Sequence, residues 1–392
     1  MLSFYVYHKY FEVPDSILTG IVFLPIMLAL LVIGLSFHFN RSQIFFYVVL
    51  VMWVNVVLGL DLADSGLSYG LLSVFIPLVL LGVSLLPERG ILSLTAIPVY
   101  VLLLLPLIFS VIVLLISPEW ANAVILTDWM PARYFDWTQQ SQSVVMVSVF
   151  SFIYMLVLYF TRPSSHAAVS MGVLLMLIAQ LHFGDGSASL NVFSSMALIM
   201  CLYTVIQESW RMAYLDELTE LPARRSLREK FQTMGGLYTV AMLDVDHFKK
   251  FNDNYGHDTG DAVLRMIANK MKKVTGGGAS YRYGGEEFAI VFPGKNSQQS
   301  MLHLDDLREN IASTPFVVNR ESRRKGERKT RRNAAQSVTV TVSIGVADSK
   351  ARLTASKMLP DMPSRLSPWD VLKLADKALY RAKGKGRNCV CS

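Results

Sequence analysis

The sequence predicts an all-α, polytopic membrane half with about seven transmembrane helices, joined to an α/β half in which helices flank a sheet. Three observations predict this. Apolar residues make up 52% of the chain and charged residues only 17%. The mean hydropathy of +0.39 is an average over two dissimilar parts, because long, nearly charge-free stretches stop near residue 207 and ordinary soluble sequence follows. Beyond that point, strand-length runs stand beside amphipathic segments. The division reads as 1–207 for a membrane sensor or anchor, 208–218 for a helical linker and 219–392 for a soluble domain.

In the first half, apolar spans lie near 17–37, 43–60, 70–86, 91–117, 144–161, 167–183 and 189–207, each close to a bilayer-crossing length. Pro98 and Pro106 inside the fourth predict a kink, which membrane helices tolerate. With the C-terminal half in the cytoplasm, seven spans put the N-terminus outside. Arg41, Arg89, Arg162 and Arg211 then fall inside, while Asp61, Asp64, Asp128, Asp136 and Asp185 fall outside; Lys9 and Arg133 are exceptions to the positive-inside pattern. The N-terminus has no basic region or cleavage site of the signal-peptide kind.

Segment 118–143 concentrates Trp120, Trp129, Tyr134, Phe135 and Trp137, suited to anchoring at the membrane surface or to lining a ligand pocket. His182 and Asp185 read either as a pH or cation sensor or as ordinary loop polarity. Acids deep in the spans are scarce, which argues against a proton-coupled transporter. Cys201 lies in a span and Cys389 and Cys391 in the tail, so no disulfide is expected. Residues 207–216 continue the last span as a helix, a rigid lever into the second half.

That second half carries the chemistry. Tyr281-Arg-Tyr-Gly-Gly-Glu-Glu-Phe-Ala-Ile-Val-Phe-Pro293 sets two glycines and two acids at a hairpin tip. Adjacent glycines suit a tight turn and let a polyphosphate approach the backbone, while Glu286 and Glu287 offer oxygen to a hard cation. Upstream, a buried strand over 238–243 leads into Asp244 and Asp246, which strand periodicity puts on one face with Val245 on the other. Asp246 is alternatively the N-cap of a helix over 247–255. Lys249, about one turn into that helix, can reach a phosphate oxygen. Asn252 and Asp261 have the amide and carboxylate that suit a guanine edge, although each also suits a cap or turn; His257 lies between them.

These strings resemble a known family. Leu243-Asp-Val-Asp-His-Phe-Lys249, Asn252-Asp, Gly256-His, Gly260-Asp, Arg282-Tyr-Gly-Gly-Glu-Glu-Phe288, Ser343-Ile-Gly-Val-Ala347 and the 375–388 segment look like a GGDEF-type diguanylate cyclase domain, beginning at Asp216-Glu-Leu-Thr219. The resemblance implies a fold similar to nucleotidyl cyclases and polymerase palms, with a mostly antiparallel sheet. It implies condensation of two GTP into cyclic di-GMP by a homodimer, with Mg²⁺ (or Mn²⁺) as cofactor. Asp244, the Val245 carbonyl and Glu286 would hold the metal. Glu286 would be the base, Lys249 the transition-state cation and Glu287 a further acid. Asn252 and Asp261 would read guanine, Phe248, His257, Gly284 and Gly285 would contact substrate, and Lys383 and Arg387 would contact phosphates. The chain would sit in a bacterial inner membrane with its catalytic domain in the cytoplasm.

The chain departs from the family pattern in three places. Glu220 and Ala223 replace the usual Gly and Asn, which predicts altered substrate contacts with chemistry retained. Thr275-Gly-Gly-Gly278 stands where many relatives carry an Arg-x-x-Asp product-inhibition site, so that inhibition is expected to be absent. A basic insert from Arg320 to Arg332 reads as a solvated loop, an anionic-lipid contact or, with no supporting pattern, a nucleic-acid contact; no nucleic acid is expected as partner. It lies between a helix ending near Ala312 and a strand over 338–346. Ser367-Pro-Trp-Asp370 has the form of a capping box that starts the helix bearing Lys383. Two rival functions remain: a catalytically silent GTP-binding scaffold, and a transporter regulated by a cyclase-like domain.

Overall fold

The computed structural model describes residues 15–59, 66–88, 90–94, 127–138, 140–161, 163–183, 187–318, 336–350 and 366–392, with isolated positions between 97 and 112. The chain divides into two compact units, Met1–Ser209 and Trp210–Ser392.

The first unit is helical: α1 Asp15–His38, α2 Ser42–Gly59, α3 Gly66–Leu85, α4 Gln142–Thr161, α5 Ser165–Phe183 and α6 Ser187–Tyr214. Among the described residues five helices are long and apolar enough to cross a membrane, not seven. The apolar stretch described in α3, Ser73–Leu85, is too short to span by itself. More than half of the fourth expected span, 91–117, lies outside the described residues. Tyr47, Val51, Leu80, Met155, Leu174, Leu177, Leu198 and Cys201 form the unit's core, and Val22, Phe23, Met27, Leu30 and Phe150 face outward, as a lipid solvent favours. Helix α6 runs unbroken through the 209/210 division.

The second unit is an α/β layer structure. Its elements are α7 Arg224–Thr233, β1 Tyr238–Val245, α8 Phe248–Tyr255, α9 His257–Met271, β2 Ala279–Gly284, β3 Glu287–Pro293, α10 Ser297–Ala312, β4 Phe316–Val318, β5 Gln336–Val338, β6 Val342–Asp348, α11 Pro368–Gly384 and β7 Val390–Cys391. The sheet order is β2-β3-β1-β6-β7, antiparallel except for β6 with β7. Both faces of β1 are covered. Ala241, Leu243 and Val245 join Phe288, Ile290 and Ile267 in one core, while Val240 and Met242 join Ala289, Leu227 and Leu379 in the other.

The strand expected over 338–346 is split. The Thr341 carbonyl accepts the Asp246 N–H at 2.9 Å, which ends one segment, and β5 turns away to pair with β4 in a separate two-stranded sheet. The basic insert Arg320 to Arg332 lies outside the described residues. The capping box is present: Ser367 accepts from the Asp370 N–H, and Asp370 accepts from the Ser367 N–H, with Pro368 opening α11.

Candidate active site

The β2–β3 hairpin turns through Gly285 and Glu286. Gly285 takes φ +54°, which a side chain would strain, and a Cβ at Gly284 or Gly285 would meet nothing within 4 Å. The turn is therefore open to close approach from solvent. Arg282 holds it from below: Nε and Nη2 donate to the Gly285 carbonyl at 3.2 and 2.8 Å, and Nη1 reaches Asp216 Oδ1 at 2.7 Å. Asp216 also accepts from the Thr219 N–H and hydroxyl at 2.8 and 2.6 Å, closing its own Asp-Glu-Leu-Thr turn. Burial disfavours the Asp216 charge, but the Thr219 and Arg282 donors outweigh it and hold the carboxyl below the usual range. Sequence reasoning did not place Asp216 or Arg282 in the site; their presence in the flanking motif strings was the available signal.

Register brings the acids together. Asp244 on β1 lies opposite Glu287 on β3 and opposite Ser343 on β6, with Glu286 next to Glu287 on the turn. Asp244 is 5% exposed, and Lys383 Nζ from α11 approaches its Oδ1 at 2.8 Å. Helix α11 gets this near because Gly345 on β6 has no side chain; a Cβ there would lie 2.0 Å from the Leu379 nitrogen and 2.1 Å from the Ala375 oxygen. Burial pushes the carboxyls of Asp244, Glu286 and Glu287 up. The charge of Asp244 adds to the shift at both glutamates, and Lys383 opposes it at all three groups. Arg387 lowers the Asp244 value further and so shares this electrostatic environment.

Asp246 is not the cap of α8. The residue at that cap is His247, at φ 56° with no side-chain cap bond. Asp246 is instead turned into the sheet, where it accepts from Thr341 Oγ1 at 2.8 Å, Ser343 Oγ at 2.6 Å and the Asn388 N–H at 3.1 Å. A short carboxylate with three such donors is better satisfied here than at an exposed helix end. It ties the segment after α11, where Gly386, Arg387 and Asn388 all have positive φ, to the end of β1.

A second group starts where β1 ends. Lys249, in the first turn of α8, and His257, the first residue of α9, are exposed, and Asp261 is half-buried. Asn252 packs on Gly260, where a Cβ would lie 1.9 Å from its Oδ1. That oxygen is buried without a hydrogen-bond partner. The Phe248 ring is a core group, 7% exposed, so only its backbone remains for a ligand.

The donor set fits a hard divalent cation. Asp244 and Glu286 supply oxygens, and the mutual repulsion of the buried acids is what a cation relieves. Among the described residues no cluster of three or more His, Cys, Asp or Glu is placed to hold a metal alone. Two carboxylates leave room for a ligand's own oxygens, as for an ion that arrives with a phosphate.

Residues 213–389 match the family model described as "Diguanylate cyclase, GGDEF domain". This stretch is a GGDEF domain. Over 230 residues the chain is 28% identical to the probable diguanylate cyclase DgcF of Escherichia coli (strain K12), covering 58% of this chain and 63% of that one. Over 182 residues it is 34% identical to the diguanylate cyclase VdcA of Vibrio cholerae serotype O1, covering 45% and 46%. The crystal structure of the GGDEF domain of DgcB from Caulobacter crescentus in complex with c-di-GMP matches at 31% identity, 46% and 92% coverage and a TM-score of 0.36. The chain thus spans about half to two-thirds of the length of the two curated relatives.

The departures from the family pattern have local structural consequences in this GGDEF domain. Glu220 sits at φ 56°, a conformation that suits the usual Gly, and its side chain contacts Lys272 at 3.4 Å. Ala223 is the N-cap of α7 and makes no side-chain cap bond, where Asn would. In the Thr275–Gly278 loop, Thr275 Oγ1 hydrogen-bonds His303 Nδ1 at 2.8 Å, and a Cβ at Gly276 would collide with that imidazole.

Proposed function

We propose that the chain is a membrane-anchored diguanylate cyclase. The observation that carries this reading is the acid cluster of Asp244, Glu286 and Glu287, countered by Lys383, beside a glycine turn with open space above it. Each domain binds one GTP. Asn252 and Asp261 take the guanine edge, the orphaned Asn252 oxygen being suited to a base donor. Lys249, Lys383 and Arg387 take phosphate charge, and His257 and the backbone of Phe248, Gly284 and Gly285 complete the contact.

Glu286 accepts the proton of a ribose 3′-hydroxyl. That oxygen forms a bond to the α-phosphorus of the GTP held by a second copy, the bond to the β-phosphate oxygen breaks and pyrophosphate leaves; a second such transfer closes the ring. Asp244, Glu286 and the Val245 carbonyl would hold a Mg²⁺ or Mn²⁺, which would supply neutralisation of the phosphates and acidification of the attacking hydroxyl. The rest is positioning by the protein.

Ring closure needs two domains face to face, so the working form is a homodimer. Helix α6 supports this: Met196, Ile199, Tyr203, Ile206 and Trp210 recur at alternating steps of three and four, and all are exposed. That spacing makes a coiled-coil seam. The same helix is the linker through which a membrane sensor in 1–207, reading over 208–218 into 219–392, would set how the two sites face each other. Catalysis on GTP would put the domain in the cytoplasm, beneath a bacterial inner membrane, and the charge of the Arg320 to Arg332 sequence suits anionic lipid.

The test is GTP turnover by the full chain in lipid nanodiscs with Mg²⁺, beside Glu286→Gln, with products separated by chromatography. Cyclic di-GMP from the parent and none from the variant is expected. GTP binding without product from either would replace the cyclase by a GTP-binding scaffold.

A further inference from the structure

Four ionisable side chains at one end of the helical unit form a cluster that catalysis does not use. Arg41 lies between α1 and α2, Glu88 follows α3, His166 is the second residue of α5 and Glu208 is near the end of α6. Arg41 Nη2 stands 3.6 Å from Glu208 Oε2, and His166 Nε2 stands 3.7 Å from Glu88 Oε2. Glu88 Oε1 accepts from the Ser42 N–H at 2.5 Å and the Ser42 hydroxyl at 2.6 Å, so the same carboxylate caps the start of α2. The four side chains are only 14–23% exposed. His166 Nδ1 and Glu88 Oε2 are buried and make no hydrogen bond. Among the described residues, the charged groups that face His166 are Glu88, Glu208 and Arg41.

We infer that this cluster is a proton-operated clamp on α6, with His166 as the proton acceptor. While His166 is neutral, the two carboxylates outnumber the one guanidinium, and the cluster keeps one negative charge in excess. A proton on His166 cancels that excess and gives Glu88 its own ion-pair partner, which leaves Arg41 to Glu208. Both present pairs are longer than a charge-assisted hydrogen bond of about 2.8 Å, so both have room to tighten. Glu208 belongs to the helix that continues unbroken to Tyr214, at the start of the GGDEF domain. Proton uptake at His166 therefore changes how firmly the helix leading to that domain is held. Imidazole titrates across the range of about pH 5–8, where such a switch has use.

The experiment is a ¹⁹F NMR titration of the full chain in nanodiscs, labelled with 5-fluorotryptophan, the Trp210 line being assigned by Trp210→Phe. Trp210 is two residues beyond Glu208 and exposed. The expected result is a Trp210 shift with a midpoint between about pH 5 and 8 that is lost in His166→Gln and in the isosteric Glu88→Gln. A flat line in the parent, or a midpoint unchanged in both variants, overturns the clamp. Measured on the same samples, the rate of product formation should change about fivefold across the titration and stay level in the variants. This second arm rests on the cyclase reading. A titrating Trp210 line with no product at any pH supports the clamp and removes that reading; a flat line with abundant product does the reverse.

Discussion

Gly345→Ala tests the link between packing and site geometry most directly. The new Cβ would sit 2.0 Å from the Leu379 nitrogen, 2.1 Å from the Ala375 oxygen and 2.7 Å from the Ala378 carbonyl carbon. These are backbone atoms of α11, so no rotamer change relieves the clash. Ordinary contact begins at 3.4 Å, which means that the helix must retreat by about 1.4 Å. Overpacking of this kind costs about 3 kcal/mol, or a fall of about 6–12 °C in the melting temperature of a domain this size. Lys383 rides on α11, so its 2.8 Å contact with Asp244 should open and product formation should drop with stability. Calorimetry of the full chain, with Gly284→Ala as a control where nothing lies within 4 Å, is the assay. A Gly345→Ala transition within about 2 °C of the parent would refute the claim that close helix approach dictates glycine here.

Three further outcomes are expected. Ala223→Asn should supply the missing cap of α7 and add about 1 kcal/mol, read as a higher midpoint in urea. Arg282→Lys keeps the charge but cannot fork between Gly285 and Asp216, so it should cost about 2 kcal/mol and lower turnover more than Arg265→Lys, a remote exposed control. The raised carboxyl of Glu286 means that the folded state binds its proton more tightly than the unfolded chain does. The domain should therefore lose stability as pH rises from the ordinary carboxylate range through the raised value. Glu286→Gln removes that contribution and should raise the neutral-pH melting temperature; a melting temperature that falls instead would contradict the sign.

The sequence and the structure contribute different parts of this picture. Strand periodicity puts Asp244 and Asp246 on one face, but the Asp246 side chain could have capped a helix or entered the sheet. Thr341, Ser343 and the Asn388 N–H decide that, and they are 95 to 142 residues away in the chain. The Gly-Gly-Glu-Glu hairpin is legible because turn chemistry is local, whereas the Arg282 fork beneath it depends on Asp216, 66 positions upstream. The Phe248 ring belongs to a core that only the packing of α8 and α9 on the sheet creates.

In the helical half, apolar length is read from each segment alone, and it located the five described helices that are long enough to cross a membrane. Among the described residues five meet the full criterion where seven were expected. By itself, the sequence determined the two-part organisation, the local turns and caps, and the candidate groups for binding a nucleotide. Tertiary structure decided which acids share a site, which cation balances them and why Gly345 carries no side chain. Those outcomes depend on strand register and on helix approach within a few ångströms, both set by contacts between residues distant in the chain.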